Sequence, residues 1–184
     1  MRLSSRERIW HRNCYLEKER RCDKRVSLSE YIGKDHIRIF EEHLEQSELI
    51  RQLGDTLIQT GAVGAEYIEA VCVREQSYPT GLLTGEVNVA IPHADPQHVR
   101  KPTIAVGVAR QSVRFRNMAD PNHDLPVQVV FLLAPERGET QLNILEQVMN
   151  LIQDQANMQK IMDAQGTEEV WNVLSQLEQV EEKS

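Results

Sequence analysis

The run Val127-Gln128-Val129-Val130-Phe131-Leu132-Leu133-Ala134, closed by Pro135, constrains the fold of this chain more than any other segment. Apart from Gln128 it is apolar at every position, so a strand built from it has no face to offer to water. It is also too short, and too rich in β-branched residues, to read as a buried helix. Thr103 to Ala109, bounded by Pro102 and Arg110, has the same texture. Two such strands require a sheet covered by other layers above and below. The flanking sequence supplies them. Leu49, Ile50, Leu53, Leu57 and Ile58 recur at helical spacing, with Ser47 placed to cap the helix and Gly61 to stop it. A second helix, from about Ala65 to Gln76, puts Tyr67, Ile68, Val71 and Cys72 on one face.

Beyond Pro135 the helical period returns. Thr140 caps a helix carrying Leu142, Leu145, Val148, Met149 and Ile152, and a short helix spans Met158 to Ala164. Gly166-Thr167 opens a third with Val170, Trp171, Leu174 and Leu177 on its apolar face. Helices, then strands, then helices predict an α/β fold: a mixed β-sheet flanked by helices on both faces, in a single domain. Aromatics make up only 5% of residues, so the core must rest on Leu, Ile, Val and Ala.

The remaining elements are shorter. Ile37, Ile39, Phe40 and Leu44 form an extended or helical lead-in in which His36 and His43 are surface or partly packed. Tyr78 to Gly85 reads as loop with a short strand. Val87 to Ile91 alternates and ends at Pro92, as a strand running into a turn does. Val113 and Phe115 suggest a short hairpin return, and Asn117 to Asp124 a polar loop.

Residues 1–34 read as a basic N-terminal extension. Nine Arg and Lys fall between Arg2 and Arg25 among few aliphatics. That composition suits a segment without fixed structure, or an arm for an anionic partner. A natural start near Val26, a residue that some bacterial start codons encode, is a third reading, and with no methionine between Met1 and Met118 it could not use an internal ATG. Residues 179–184 form a charged tail. The formal net charge of -7 argues against nucleic-acid binding, which usually needs a basic face. Three cysteines, Cys14, Cys22 and Cys72, give no disulfide framework and no zinc-ribbon spacing. No apolar run approaches the ~18 residues of a membrane span, and the N-terminus lacks an apolar signal core. The expectation is a cytoplasmic protein with no direct membrane insertion.

One segment carries chemistry: Asn88-Val89-Ala90-Ile91-Pro92-His93-Ala94-Asp95. Proline fixes its own φ and biases its predecessor toward extended backbone. A histidine directly behind it is held at a strand tip with its ring aimed outward. Imidazole is largely neutral at cell pH and is a competent nucleophile.

The run Val73-Arg74-Glu75-Gln76-Ser77-Tyr78-Pro79-Thr80-Gly81-Leu82, followed by Ala90-Ile91-Pro92-His93, resembles the IIA component of the bacterial phosphoenolpyruvate-dependent sugar phosphotransferase system (PTS), in its fructose–mannitol class. The strand at Val127 to Pro135 and the helix after it are also similar, so the resemblance spans roughly Ile37 to Leu177. It implies the phosphotransferase/anion-transport-protein-like fold, with residues 35–178 as a type-2 IIA domain. It implies that His93 accepts a phosphoryl group from phosphorylated HPr, as a tele-phosphohistidine, and donates it to a cysteine of a IIB component working with a membrane IIC. It implies that Arg74 stabilises the phosphoryl group; an always-charged guanidinium fork suits that task. Otherwise Arg74 would be a surface ion pair, for instance with Glu75. Thr80 and amides near Gly81 would add hydrogen bonds. No cofactor is implied.

Many relatives carry a second active-site histidine at the start of the helix after the last strand. Here that position is Gln141, which donates a hydrogen bond to a phosphoryl oxygen but cannot become cationic. The galactitol-type subunits are similar in this glutamine and in the Tyr-Pro-Thr-Gly run, which points to galactitol or a related polyol. A regulatory module of the nitrogen-regulatory type, choosing partners by its phosphorylation state, shares the same motif. A metal-dependent hydrolase would use His93, Asp95 and His98, with His123 and Asp124 joining only if their loop folds back, and no second cluster such as His-Glu-x-x-His occurs. Gly81-Leu82-Leu83-Thr84-Gly85 lacks the Lys-Ser/Thr of a nucleotide loop, so ATP is not the expected donor.

Overall fold

The computed structural model describes residues 28–135 and 139–181, with side chains left undescribed at 139–141 and from 177 onward. A short 3-10 turn at Leu28–Glu30 leads into β1 (Ile32–Phe40). Two helices follow, α1 (Gln46–Gln59) and α2 (Tyr67–Ser77), then the short strands β2 (Gly81–Leu82) and β3 (Asn88–Ala90). The long strands β4 (Thr103–Arg116) and β5 (Asp124–Ala134) precede helices α3 (Glu139–Gln153), α4 (Gln155–Asp163) and α5 (Thr167–Glu181).

The five strands form one mixed sheet in the order β1-β4-β5-β3-β2. β1 runs parallel to β4, and β3 parallel to β5. The β4–β5 and β2–β3 pairs are antiparallel. Helices cover both faces, as the two doubly apolar strands require. On one face Leu49, Leu53, Leu57, Tyr67 and Val71 of α1 and α2 pack on Ala105, Phe115, Val130 and Leu132. On the other, Val148, Ile152, Met158, Ile161, Val170 and Leu174 of α3 to α5 pack on Val106, Val108, Val129 and Phe131.

Several expectations need correction. The lead-in is a full strand, because Ile32 and Ile37 to Phe40 find partners along β4. The folded unit begins before residue 35: Leu28 and Ile32 are both buried in the core. At the other end α5 continues past 178 to Glu181. The basic residues up to Arg25, with Cys14 and Cys22, lie outside the described residues. Val113 and Phe115 form no separate return strand; they lie in the β4 arm of the β4–β5 hairpin, opposite Val127 and Leu125. β4 continues through them, and its pairing with β5 shifts register between Val108 and Val113, so the polar Arg110-Gln111-Ser112 bulges without turning the chain. Ser47 is not the cap of α1. The cap position is Glu45, two residues earlier, whose backbone carbonyl accepts from the amides of Glu48 and Leu49. Gly61 does end it, at φ +73°, the left-handed conformation that favours glycine. His36 is buried, with Nε2 at 3.0 Å from the Thr60 hydroxyl.

Helix α4 has the clearest cap. The Asp154 carboxylate accepts from the Asn157 amide at 3.2 Å and from the Asn157 side chain at 2.7 Å. Asp154→Ala is expected to cost about 1 kcal/mol of stability. The midpoint of urea unfolding reads this directly, and an unchanged midpoint would show that the cap contributes nothing.

Candidate functional site

The site lies where β3 gives out beside β5. Beyond Ala90 the chain stays attached to the sheet: the Ile91 amide donates to the Thr80 carbonyl at 3.3 Å, and the Leu133 amide donates to the Pro92 carbonyl at 2.9 Å. His93 itself forms a parallel bridge with Leu133. Pro92 accounts for this geometry, since it offers a carbonyl to β5 but no amide to any further strand.

The His93 ring is partly exposed, and its Nδ1 is 2.9 Å from the Ile91 carbonyl. A carbonyl only accepts, so Nδ1 is the protonated nitrogen and donates. Nε2 therefore carries the free lone pair. Burial is the main force lowering the ring's pKa below its ordinary 6.5. The Arg74 charge adds to it, while the Ile91 carbonyl and Asp95 oppose it. The result is a neutral imidazole with one nucleophilic nitrogen held in a fixed direction.

Arg74 occupies the last turn of α2, partly exposed, with its guanidinium 5.6 Å from the centroid of the Tyr78 ring. Among the described residues it makes no ion pair within 4.0 Å. Glu75, the partner considered from sequence, turns its carboxylate elsewhere. Its Oε1 accepts from the Thr80 amide at 2.9 Å and its Oε2 from the Thr80 hydroxyl at 2.8 Å. This relocates Thr80. Its one hydroxyl hydrogen is directed to Glu75 and the residue is buried, so in this arrangement the hydroxyl has no hydrogen left for a phosphoryl group. Gln141 lies in the first turn of α3, but its side chain is outside the described residues.

Sequence reasoning missed Tyr67 as part of the site. From the start of α2 this fully buried tyrosine donates to the Leu133 carbonyl at 2.5 Å. Burial pushes its pKa up, and the Ala94 amide lies close enough to pull it back. Tyr67 thus ties the start of α2 to β5 at Leu133, the bridge partner of His93, and to Ala94 directly after the histidine. The signal was a hydroxyl on a fully apolar helix face, which needs a polar partner when buried.

An apolar hollow adjoins His93, walled by Ile104, Leu133, Ala134, Pro135, Ile144 and Leu145. Val73 and Tyr78, on either side of Arg74 in sequence, are exposed. The other candidate ligands stay apart from this place. His98 pairs with Gln97, and His123 with Asp120. Among the described residues no three His, Cys, Asp or Glu come together as a metal site would require.

Residues 30–177 match the sequence model of the family described as "Phosphoenolpyruvate-dependent sugar phosphotransferase system, EIIA 2". The galactitol-specific EIIA component of the PTS of Escherichia coli K12 is 27% identical over 110 residues, which is 60% of this chain and 73% of that protein. The mannitol-specific phosphotransferase enzyme IIA component of Staphylococcus aureus MRSA252 is 27% identical over 149 residues, covering 81% of this chain and 98% of that one. Among solved structures, the fold is similar to that in a complex of enzyme IIAMTL and phosphorylated enzyme IIBMTL from Escherichia coli. The TM-score is 0.65 at 23% identity, covering 78% of this chain and 96% of that one.

Proposed function

The chain belongs to the EIIA 2 family of the phosphoenolpyruvate-dependent sugar phosphotransferase system, and from that premise we propose that His93 is its phosphoryl carrier, loaded by phospho-HPr and unloaded onto a IIB cysteine. The observation that carries this reading is the His93 tether: with Nδ1 donating to Ile91, the only lone pair on the ring is at Nε2. In the loading step that lone pair attacks the phosphorus of the donor's phosphohistidine. A P–Nε2 bond forms, the donor's P–N bond breaks, and its electron pair returns to the donor nitrogen. The loaded ring then bears phosphorus on one nitrogen and hydrogen on the other, so it carries cationic character that the Ile91 carbonyl stabilises. In unloading, a IIB thiolate attacks phosphorus, a P–S bond forms, and the P–Nε2 electrons return to the ring.

Arg74 serves the transferring group. A phosphoryl group spreads negative charge over its equatorial oxygens in transfer, and catalysis of that step is mainly positioning and charge stabilisation. A partly exposed guanidinium without a carboxylate partner among the described residues is available for that task. Of the sugars taken up by the family we propose galactitol or a related polyol, on the similarity to the galactitol-specific component and on Gln141. No helix among the described residues is long and apolar enough to cross a membrane, which fits a role on the cytoplasmic side.

Incubation with phosphoenolpyruvate, enzyme I and HPr is expected to label the protein with acid-labile, base-stable phosphate. Adding a galactitol-type IIB is expected to discharge it. A protein that takes no label from phospho-HPr is not this carrier.

A further inference from the structure

We infer that Glu75 is a positioning residue for phosphoryl transfer, fixing the Arg74 helix and the His93 ring to one another through Thr80. The inference rests on the phosphocarrier reading and assigns to that same site a residue that touches neither the phosphoryl group nor the imidazole. Glu75 is 4% exposed, and among the described residues it is the one buried carboxylate. Three donors converge on it: the Thr80 amide at 2.9 Å and the Gln46 side-chain amide at 3.3 Å on Oε1, and the Thr80 hydroxyl at 2.8 Å on Oε2. The two amides can only donate, so Oε1 is an acceptor oxygen, and the Thr80 hydroxyl completes the set at Oε2.

The same threonine continues the connection. Its carbonyl accepts from the Ile91 amide at 3.3 Å, and the Ile91 carbonyl accepts from His93 Nδ1 at 2.9 Å. A continuous line of hydrogen bonds therefore runs from the residue beside Arg74, through Thr80 and Ile91, to the ring. It crosses separate peptide groups, so it transmits position and not electrons. The surroundings leave it little slack. Arg116 donates through Nη2 to the carbonyls of Glu75 and Gln76, pinning the end of α2. Directly after Thr80, a Cβ on Gly81 would lie 2.6 Å from the Arg116 carbonyl oxygen, so the backbone there passes too close for any side chain. Burial raises the Glu75 pKa above the ordinary carboxylate value, against the opposing pull of the Thr80 hydrogen bonds, Arg116 and Arg74. For filling space alone an apolar side chain would serve as well. What the carboxylate adds is a fixed distance between a guanidinium fork and a nucleophilic nitrogen, and misplacement of reacting groups by about 1 Å can cost on the order of 100-fold in rate.

The test uses the full chain with Glu75→Gln, Thr80→Val and Thr80→Ser, and two readouts. The first is the single-turnover rate of loading from phospho-HPr. The second is the imidazole nitrogen NMR spectrum of unphosphorylated protein, which reports the His93 tautomer without any partner protein. Glu75→Gln and Thr80→Val are each expected to slow loading by at least about tenfold and to mix the two His93 tautomers. Thr80→Ser keeps the hydroxyl and is expected to restore most of the rate and the Nδ1–H tautomer. The double variant is expected to be no slower than the worse single one, since both changes cut the same line. A folded Glu75→Gln protein with wild-type rate and tautomer overturns the inference. So does a Thr80→Ser protein as impaired as Thr80→Val. If Glu75→Gln does not fold, the Val–Ser comparison decides alone. Failure of the underlying reading looks different: wild-type protein takes no label, while the tautomer comparison still reports on the placement of the ring.

Discussion

His93→Ala protein is expected to take no phosphate from phospho-HPr, a loss to background and not a partial slowing. The reason is that nothing replaces Nε2. The other described histidines have neighbours of their own: His36 is buried against Thr60, His43 lies by Glu45, His98 pairs with Gln97 and His123 with Asp120. The substitution removes a partly exposed ring and one hydrogen bond to a backbone carbonyl, a loss of about 1 kcal/mol. The strand-tip backbone keeps its other supports, namely the Leu133–Pro92 bond and the Tyr67 brace. An unlabelled variant with a wild-type circular dichroism spectrum is therefore the expected pair of results. Label retained on His93→Ala would move the carrier nitrogen to another residue.

Arg74→Ala is expected to load about 10²- to 10³-fold more slowly, the usual consequence of deleting one preorganised donor to developing negative charge. Arg74→Lys should recover part of that, because a point charge remains but the planar fork is lost. The pH profile supplies an independent check. His93 must be neutral to attack, so loading falls as pH drops through its pKa. In the wild type that pKa is held below 6.5, with the Arg74 charge contributing after burial. Removing the charge raises it, so the acid limb of the Arg74→Ala profile should move to higher pH. Stability follows the same sign: with the folded pKa below the unfolded one, the neutral ring's contribution is complete above about pH 6.5 and is lost as pH falls through the folded value. Wild-type rates with an unmoved acid limb in Arg74→Ala would remove the guanidinium from the mechanism.

The sheet was legible from Val127 to Ala134 because a strand buried on both faces has no polar positions to confuse its period. The helices were legible for the opposite reason, since one wet face gives them a strong 3.6-residue rhythm. What misled was locally polar sequence inside long-range structure. Arg110-Gln111-Ser112 looks like a turn, yet pairing with β5 resumes at Val113 and keeps the strand going. The same holds for β1: Gly33-Lys34-Asp35 gives no strand signal, and only pairing with β4 decides it.

At the site, Ile91-Pro92-His93 could be read locally because proline dictates its own geometry. Arg74 came with the family resemblance, and its sequence distance from His93 conceals that the two share one place. The sequence places Tyr67 on an apolar helix face and Glu75 beside Arg74 as a candidate ion-pair partner. Their roles depend on which atoms face them after folding, Leu133 for the first and Thr80 for the second, and periodicity carries no information on that.

The pinning of the His93 backbone to β5 has a kinetic corollary for the proposed carrier. A ring that cannot swing between two stations has a single landing spot, and whoever brings cargo must vacate it before the next collector arrives. Loader and collector are then rivals for one berth. A large excess of unphosphorylated HPr should accordingly slow discharge to IIB by simple competition.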